Sequence, residues 1–106
     1  MDETEFAALA EQALNRIEAA LEESAVDADV ELKPGGVIEI EYADGSRMII
    51  NRHAAAREIW VAARAGGFHF RWDGAAWRDT REGGELFAAL SKLVSAQGGE
   101  AVLLRP

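Results

Sequence analysis

The sequence predicts an α+β fold, a two-layer α-β sandwich in which an antiparallel sheet of about six strands carries an N-terminal and a C-terminal helix packed on one face. Two observations predict it. Apolar residues recur at helical spacing only near the two ends, and the stretch between alternates with a period of two, broken by Pro-Gly, Asp-Gly and Gly-Gly pairs. With 106 residues there is room for a single domain, and 49% hydrophobic residues suffice for one core.

Between residues 4 and 22, Phe6, Leu9, Ala10, Ala13, Leu14, Ile17, Ala20 and Leu21 recur at three- and four-residue spacing, which marks an amphipathic helix. From Asp27 the period changes to two: Ala28, Val30 and Leu32 alternate with Asp27, Asp29 and Glu31 until Pro34-Gly35-Gly36 breaks the run. Val37 to Tyr42 alternates again, and Asp44-Gly45 turns the chain into a strand from Arg47 to Asn51. Glu58 to Ala63 and Phe68 to Trp72 read as strands joined by Gly66-Gly67, and Asp73-Gly74 leads to a short strand around Trp77. After Gly83-Gly84, Leu86, Phe87, Leu90, Leu93 and Val94 resume helical spacing, and Gly98-Gly99 ends the helix.

Composition narrows the function. There is no cysteine, hence no disulfide, no thiolate metal site and no thiol nucleophile. Nineteen acids against eleven bases give a net charge of −8, which repels nucleic acid and anionic lipid and favours metal cations and basic protein surfaces. Apolar stretches run for only a few residues, and acids occupy the first positions where a signal peptide carries bases. A cytoplasmic location, with no membrane and no nucleic-acid partner, is therefore expected.

The acids are concentrated. Glu11, Glu18 and Glu22 fall at nearly one angle of the first helix, beside its apolar face. The next strand points Asp27, Asp29 and Glu31 to one side, with Glu23 between the two sets, so helix and strand are placed to form an acidic ridge. From Glu18 to Glu31 there are six acids and no Lys or Arg, an arrangement that a cation or a basic partner relieves. Oxygen-only ligands suit hard cations such as iron, manganese, calcium or magnesium rather than zinc or copper. A calcium loop is excluded, because Leu32 stands where its Gly is required and Ile38 where its last Glu belongs.

Nothing supports a catalytic centre. His53 and His69 lie on different segments with no nucleophile elbow, phosphate loop or dinucleotide fingerprint. Gly83-Gly84 precedes a helix but is flanked by Glu82 and Glu85 and reads as a turn rather than an anion cradle. On the sheet, Trp60 is out of phase with Ile59 and Val61, which places it on the open face together with Asn51, His69 and Arg71, while Phe68, Phe70 and Trp72 face the core.

The runs from Gly45 to Arg52, Glu58 to Ala62 and Gly66 to Phe70, with Glu5-Phe6, Gly35-Gly36-Val37 and Trp77 to Arg81 around them, resemble the bacterial frataxins over nearly the whole chain. The resemblance implies a protein that is not an enzyme. It implies weak binding of iron (Fe²⁺ or Fe³⁺) on the ridge, carried over to Glu18, Glu22, Glu23, Asp27, Asp29 and Glu31. It further implies regulation of iron-sulfur cluster assembly through docking on a cysteine desulfurase and an iron-sulfur scaffold protein, with sheet-surface contacts at Asn51 and Trp60. Three departures stand out: Ala19 and Ala25 occupy places where relatives often carry acids, Ala7 replaces a His linked to metal binding, and His53-Ala54-Ala55-Ala56 replaces the usual Gln and Pro-containing turn. A monomer is expected, with iron-driven oligomers an open alternative. Two rival functions stay open, a metal-independent acidic regulator of the desulfurase and a ferroxidase.

Overall fold

Asp2 starts the first helix: its Oδ1 accepts the Glu5 N–H at 2.8 Å, satisfying one of the donors that a helix N-terminus leaves open. In the computed structural model, which describes residues 1–24 and 26–106, this helix α1 spans Glu3–Glu23. Strands β1 (Ala28–Lys33), β2 (Val37–Tyr42), β3 (Arg47–His53), β4 (Glu58–Ala63), β5 (Gly66–Trp72) and β6 (Trp77–Asp79) follow, and then helix α2 (Leu86–Gly98). Each strand pairs antiparallel with its neighbour in sequence, in the order β1 to β6. The fold is the expected α+β sandwich.

Register decides which residues reach the core. Ile40 sits between Val30 and Met48, and Val61 between Ile50 and Phe68, so the residues alternating with them share the opposite face. Phe6, Ile17 and Leu21 of α1 and Leu86, Leu90 and Val94 of α2 are buried in one cluster with Ile38, Ile40, Ile50, Ile59, Val61 and Phe70. Burying each such side chain stabilises the fold by roughly 1.5–3 kcal/mol. Among the described residues no helix covers the other sheet face, and there Ile49 remains 37% exposed.

Strand β3 runs to His53, past the expected end at Asn51, because the Arg52 N–H finds the Gly36 carbonyl at 3.1 Å and His53 pairs with Glu58. The loop after it closes with Arg57 at φ 56°, and the Ala56 N–H donates to His53 Nδ1 at 3.2 Å. Gly36 has φ 78°, a left-handed conformation that favours glycine, and a Cβ there would displace the Arg52 side chain, whose Nε stands 2.6 Å from its position.

Gly83, at φ 78°, makes a turn, and the helix N-terminus beyond it is capped from within. Glu85 accepts the N–H groups of Phe87 and Ala88 at 2.7 and 3.0 Å. Residues Ala101 to Pro106 escape the sequence patterns, yet Val102 and Leu104 are buried with the core. Two serines of α2 hold them. Ser91 Oγ accepts the Leu104 N–H at 2.8 Å, and Ser95 Oγ accepts the Val102 N–H at 2.8 Å while donating to the Val102 carbonyl at 3.0 Å.

Candidate functional site

The uncovered sheet face collects the residues of interest. By register, Asn51, Trp60 and His69 stand in one row across β3, β4 and β5, and His53, Glu58, Arg71 and Arg78 in the next. The alternation argument for Trp60, Asn51, His69 and Arg71 therefore holds. Trp60 is half-buried, covered by two side chains that the sequence left apart. His53 stacks on one side of the indole at a centroid distance of 3.7 Å and 11°, and His69 on the other at 4.3 Å and 8°.

Glu58 lies beside this stack, only 5% exposed although it belongs to the open face. Its Oε1 accepts the indole Nε1–H of Trp60 at 2.8 Å and stands 3.5 Å from His69 Nδ1, and its Oε2 accepts from Arg71 at 2.6 Å. Burial pushes the carboxyl upward, but the hydrogen bonds from Trp60 and Arg71, and the charge of Arg71, outweigh it and hold Glu58 below its ordinary value. Sequence reasoning missed Glu58. Its sign is an acid two residues before a Trp on one strand face, opposite an Arg, which only the register reveals. Asn51 is half-buried, and its Nδ2 donates to the Arg52 carbonyl at 3.2 Å.

Charge is unevenly spread over this face. Asp29 lies opposite Glu41, and Glu31 opposite Glu39, at the β1 end. Lys33 and Arg47 partly compensate: Lys33 reaches Glu39 at 2.9 Å and Glu31 at 3.9 Å, and Arg47 lies 3.4 Å from Glu39 and 3.3 Å from Glu41. The hydrogen bond from Lys33 and its charge hold Glu39 below the usual carboxylate range. At the opposite end, Arg71 and Arg78 face each other across β5 and β6. Between them lie Val37, Ile49, Ala62 and the aromatic stack, so the face runs from an acidic end through an apolar middle to an end where Arg71 and Arg78 are paired with Glu58 and Asp73.

The six ridge acids are not in one plane. Glu18, half-buried, and Glu22 and Glu23, exposed, stand on α1 and its end, whereas Asp29 and Glu31 project from the face opposite the one α1 covers. Asp27 is exposed just before β1. They flank the β1 edge from two sides. Among the described residues, no three His, Cys, Asp or Glu side chains converge closely enough to hold a metal ion. Ala19 is exposed, and Ala25, the other departure from the acidic pattern, lies outside the described residues.

Two grooves, of about 300 and 410 Å³, open at the seams between helix and sheet, and neither is lined by Asn51, His53, Trp60 or His69. Among the described residues no helix is long and apolar enough to cross a membrane.

Together the fold and this face define a two-layer α-β protein with one bare, aromatic-centred sheet surface beside an acidic edge. Residues 1–100 match the model of the frataxin-like domain. The iron-sulfur cluster assembly protein CyaY of Dechloromonas aromatica is 68% identical over 105 residues, covering 99% of this chain and all of that protein. CyaY of Cupriavidus necator is 56% identical, covering 98% and 96%. Among solved structures, frataxin from Psychromonas ingrahamii superposes with a TM-score of 0.89 at 30% identity over the full length of both chains. The chain belongs to the frataxin family, in its bacterial CyaY branch.

Proposed function

We propose that this protein takes part in iron-sulfur cluster assembly as a non-enzymatic adaptor. It docks on a cysteine desulfurase and its scaffold through the open sheet face and the acidic edge, and it holds iron loosely on the ridge carboxylates. The observation that carries the docking is the pre-formed surface around Trp60: an aromatic stack on a rigid sheet, uncovered by either helix, is the type of anchor at which binding energy concentrates. The relatives' role in cluster assembly supplies the process.

Iron enters as cargo or signal. Exposed carboxylates that keep their water and do not converge suit dissociation constants of about 10⁻⁵ to 10⁻³ M. The site residues are Glu18, Glu22, Glu23, Asp27, Asp29 and Glu31 for the cation, and Asn51, Trp60, His69 and Arg71 for the partner. A desulfurase assay with and without this protein, run in iron and in chelator, tests the reading. A rate change that requires iron supports the adaptor. The same change in chelator favours a metal-independent electrostatic regulator, and no change in either condition removes both.

A further inference from the structure

The buried carboxylate of Glu58 lies outside the ridge assigned to the cation, and three of its neighbours belong to the proposed docking face. A charged group at 5% exposure on an otherwise open surface needs partners on every side. It has them in the Trp60 Nε1–H at 2.8 Å and Arg71 at 2.6 Å, with His69 Nδ1 at 3.5 Å. The indole is thus held along its edge by Glu58 and on its two faces by His53 and His69. A Trp side chain left alone on a sheet surface samples several rotamers, and a partner must freeze one of them. Here the freezing is done before any partner arrives.

We propose that Glu58 is the positioning residue of the docking face: through its hydrogen bond to Trp60 and its pair with Arg71 it locks the indole in the orientation the partner meets. The proposal rests on the reading of Trp60 as a docking anchor. Glu58 itself is too covered to contact the partner, so its effect passes through the ring. Arg71 neutralises the carboxylate and keeps it ionised, which makes it a strong acceptor for the indole N–H.

Glu58→Gln and Glu58→Leu separate positioning from bulk structure. Gln keeps an acceptor for the indole; Leu removes it while filling the space, and the partner left behind, Arg71, has an exposed side chain that water can solvate. NMR of the free protein follows the Trp60 Nε1–H signal, assigned by its loss in Trp60→Phe. Its exchange with solvent is expected to stay slow in the wild type and in Glu58→Gln and to speed up by about tenfold or more in Glu58→Leu. Affinity for the desulfurase-scaffold complex is expected to fall by about tenfold in Glu58→Leu and to be largely rescued in Glu58→Gln. Urea unfolding shows whether Glu58→Leu is folded; should it not be, Arg71→Gln, on an exposed side chain, takes its place with indole exchange as the readout, because Arg71 is itself assigned to the partner contact: faster exchange supports the proposal and wild-type exchange overturns it. Docking and indole exchange in Glu58→Leu like those of the wild type, while Trp60→Ala loses affinity, overturn the proposal and leave the docking reading intact. Wild-type affinity in Trp60→Ala overturns the docking reading, and the proposal with it.

Discussion

At Trp60 a contribution to stability can be separated from the proposed contribution to docking. The period of two put it on the open face, where truncation of an exposed residue costs within about 0.5 kcal/mol. The imidazoles on both sides and the bond to Glu58 raise that figure. Trp60→Ala is expected to cost about 2–3 kcal/mol in urea unfolding, from two ring contacts and one charge-assisted hydrogen bond, at or below the lower end of the roughly 3–5 kcal/mol of a core Trp. The loss in docking, about 2 kcal/mol or near thirty-fold in dissociation constant, is expected on top of it. A stability loss of core size with docking intact would assign Trp60 to the fold alone. Glu58 adds a pH dependence. Its folded-state pKa is depressed, so its contribution is fully present above the ordinary Glu value of about 4.3 and is lost as pH falls through the lower folded value. Acid unfolding of Glu58→Gln is therefore expected to be less steep below about pH 4.3 than that of the wild type, and superimposable curves would contradict it.

Among the elements, α2 and the segment after it form one unit. Gly99, at φ 76°, ends the helix and lets the chain turn back, and the hydroxyls of Ser91 and Ser95 replace the strand partner that residues Val102 to Leu104 lack. Leu104 is 3% exposed and its neighbour Leu103 65%, which offers an internal control. Leu104→Ala is expected to destabilise by about 2–3 kcal/mol, within the range for buried leucines, and Leu103→Ala by no more than about 0.5 kcal/mol. Equal effects in thermal or urea melts would show that the segment is not docked as described. The same contrast explains why sequence patterns passed over it. Two buried residues separated by one exposed residue are too short a run to display a period, and their hydrogen-bond partners are side chains of a helix rather than another strand.

At the scale of the whole molecule the net charge of −8 and its uneven placement set the electrostatics that the proposed docking would use. Affinity for a desulfurase carrying a basic groove is expected to fall steeply between low and high salt, since screening sets in beyond about 8 Å at physiological ionic strength. Affinity independent of salt would refute the electrostatic part of the docking. Paramagnetic broadening on adding iron is expected first at Glu18, Glu22, Glu23, Asp27, Asp29 and Glu31, at submillimolar to millimolar concentrations. Broadening confined to His53 and His69 would move the cation to the aromatic stack.

The sequence by itself determined the two helices, the six strands, their turns and the sidedness of Trp60, Asn51, His69 and Arg71, because period and turn chemistry are local properties. It also carried the concentration of acids between Glu18 and Glu31. Pairings across strands were decided only by the tertiary structure. His53 and His69 looked unrelated until the β3-β4-β5 register set them on the two faces of one indole. Glu58 looked like any strand acid until Arg71 and Trp60 closed over it. Lys33 and Arg47, both outside the acidic run, turned out to neutralise part of the β1 end, and the ridge acids came to lie on two sides of the sheet edge. The reason is physical: whether a side chain is exposed or paired depends on neighbours distant in sequence, and a shift of one residue in register would exchange every one of those neighbours.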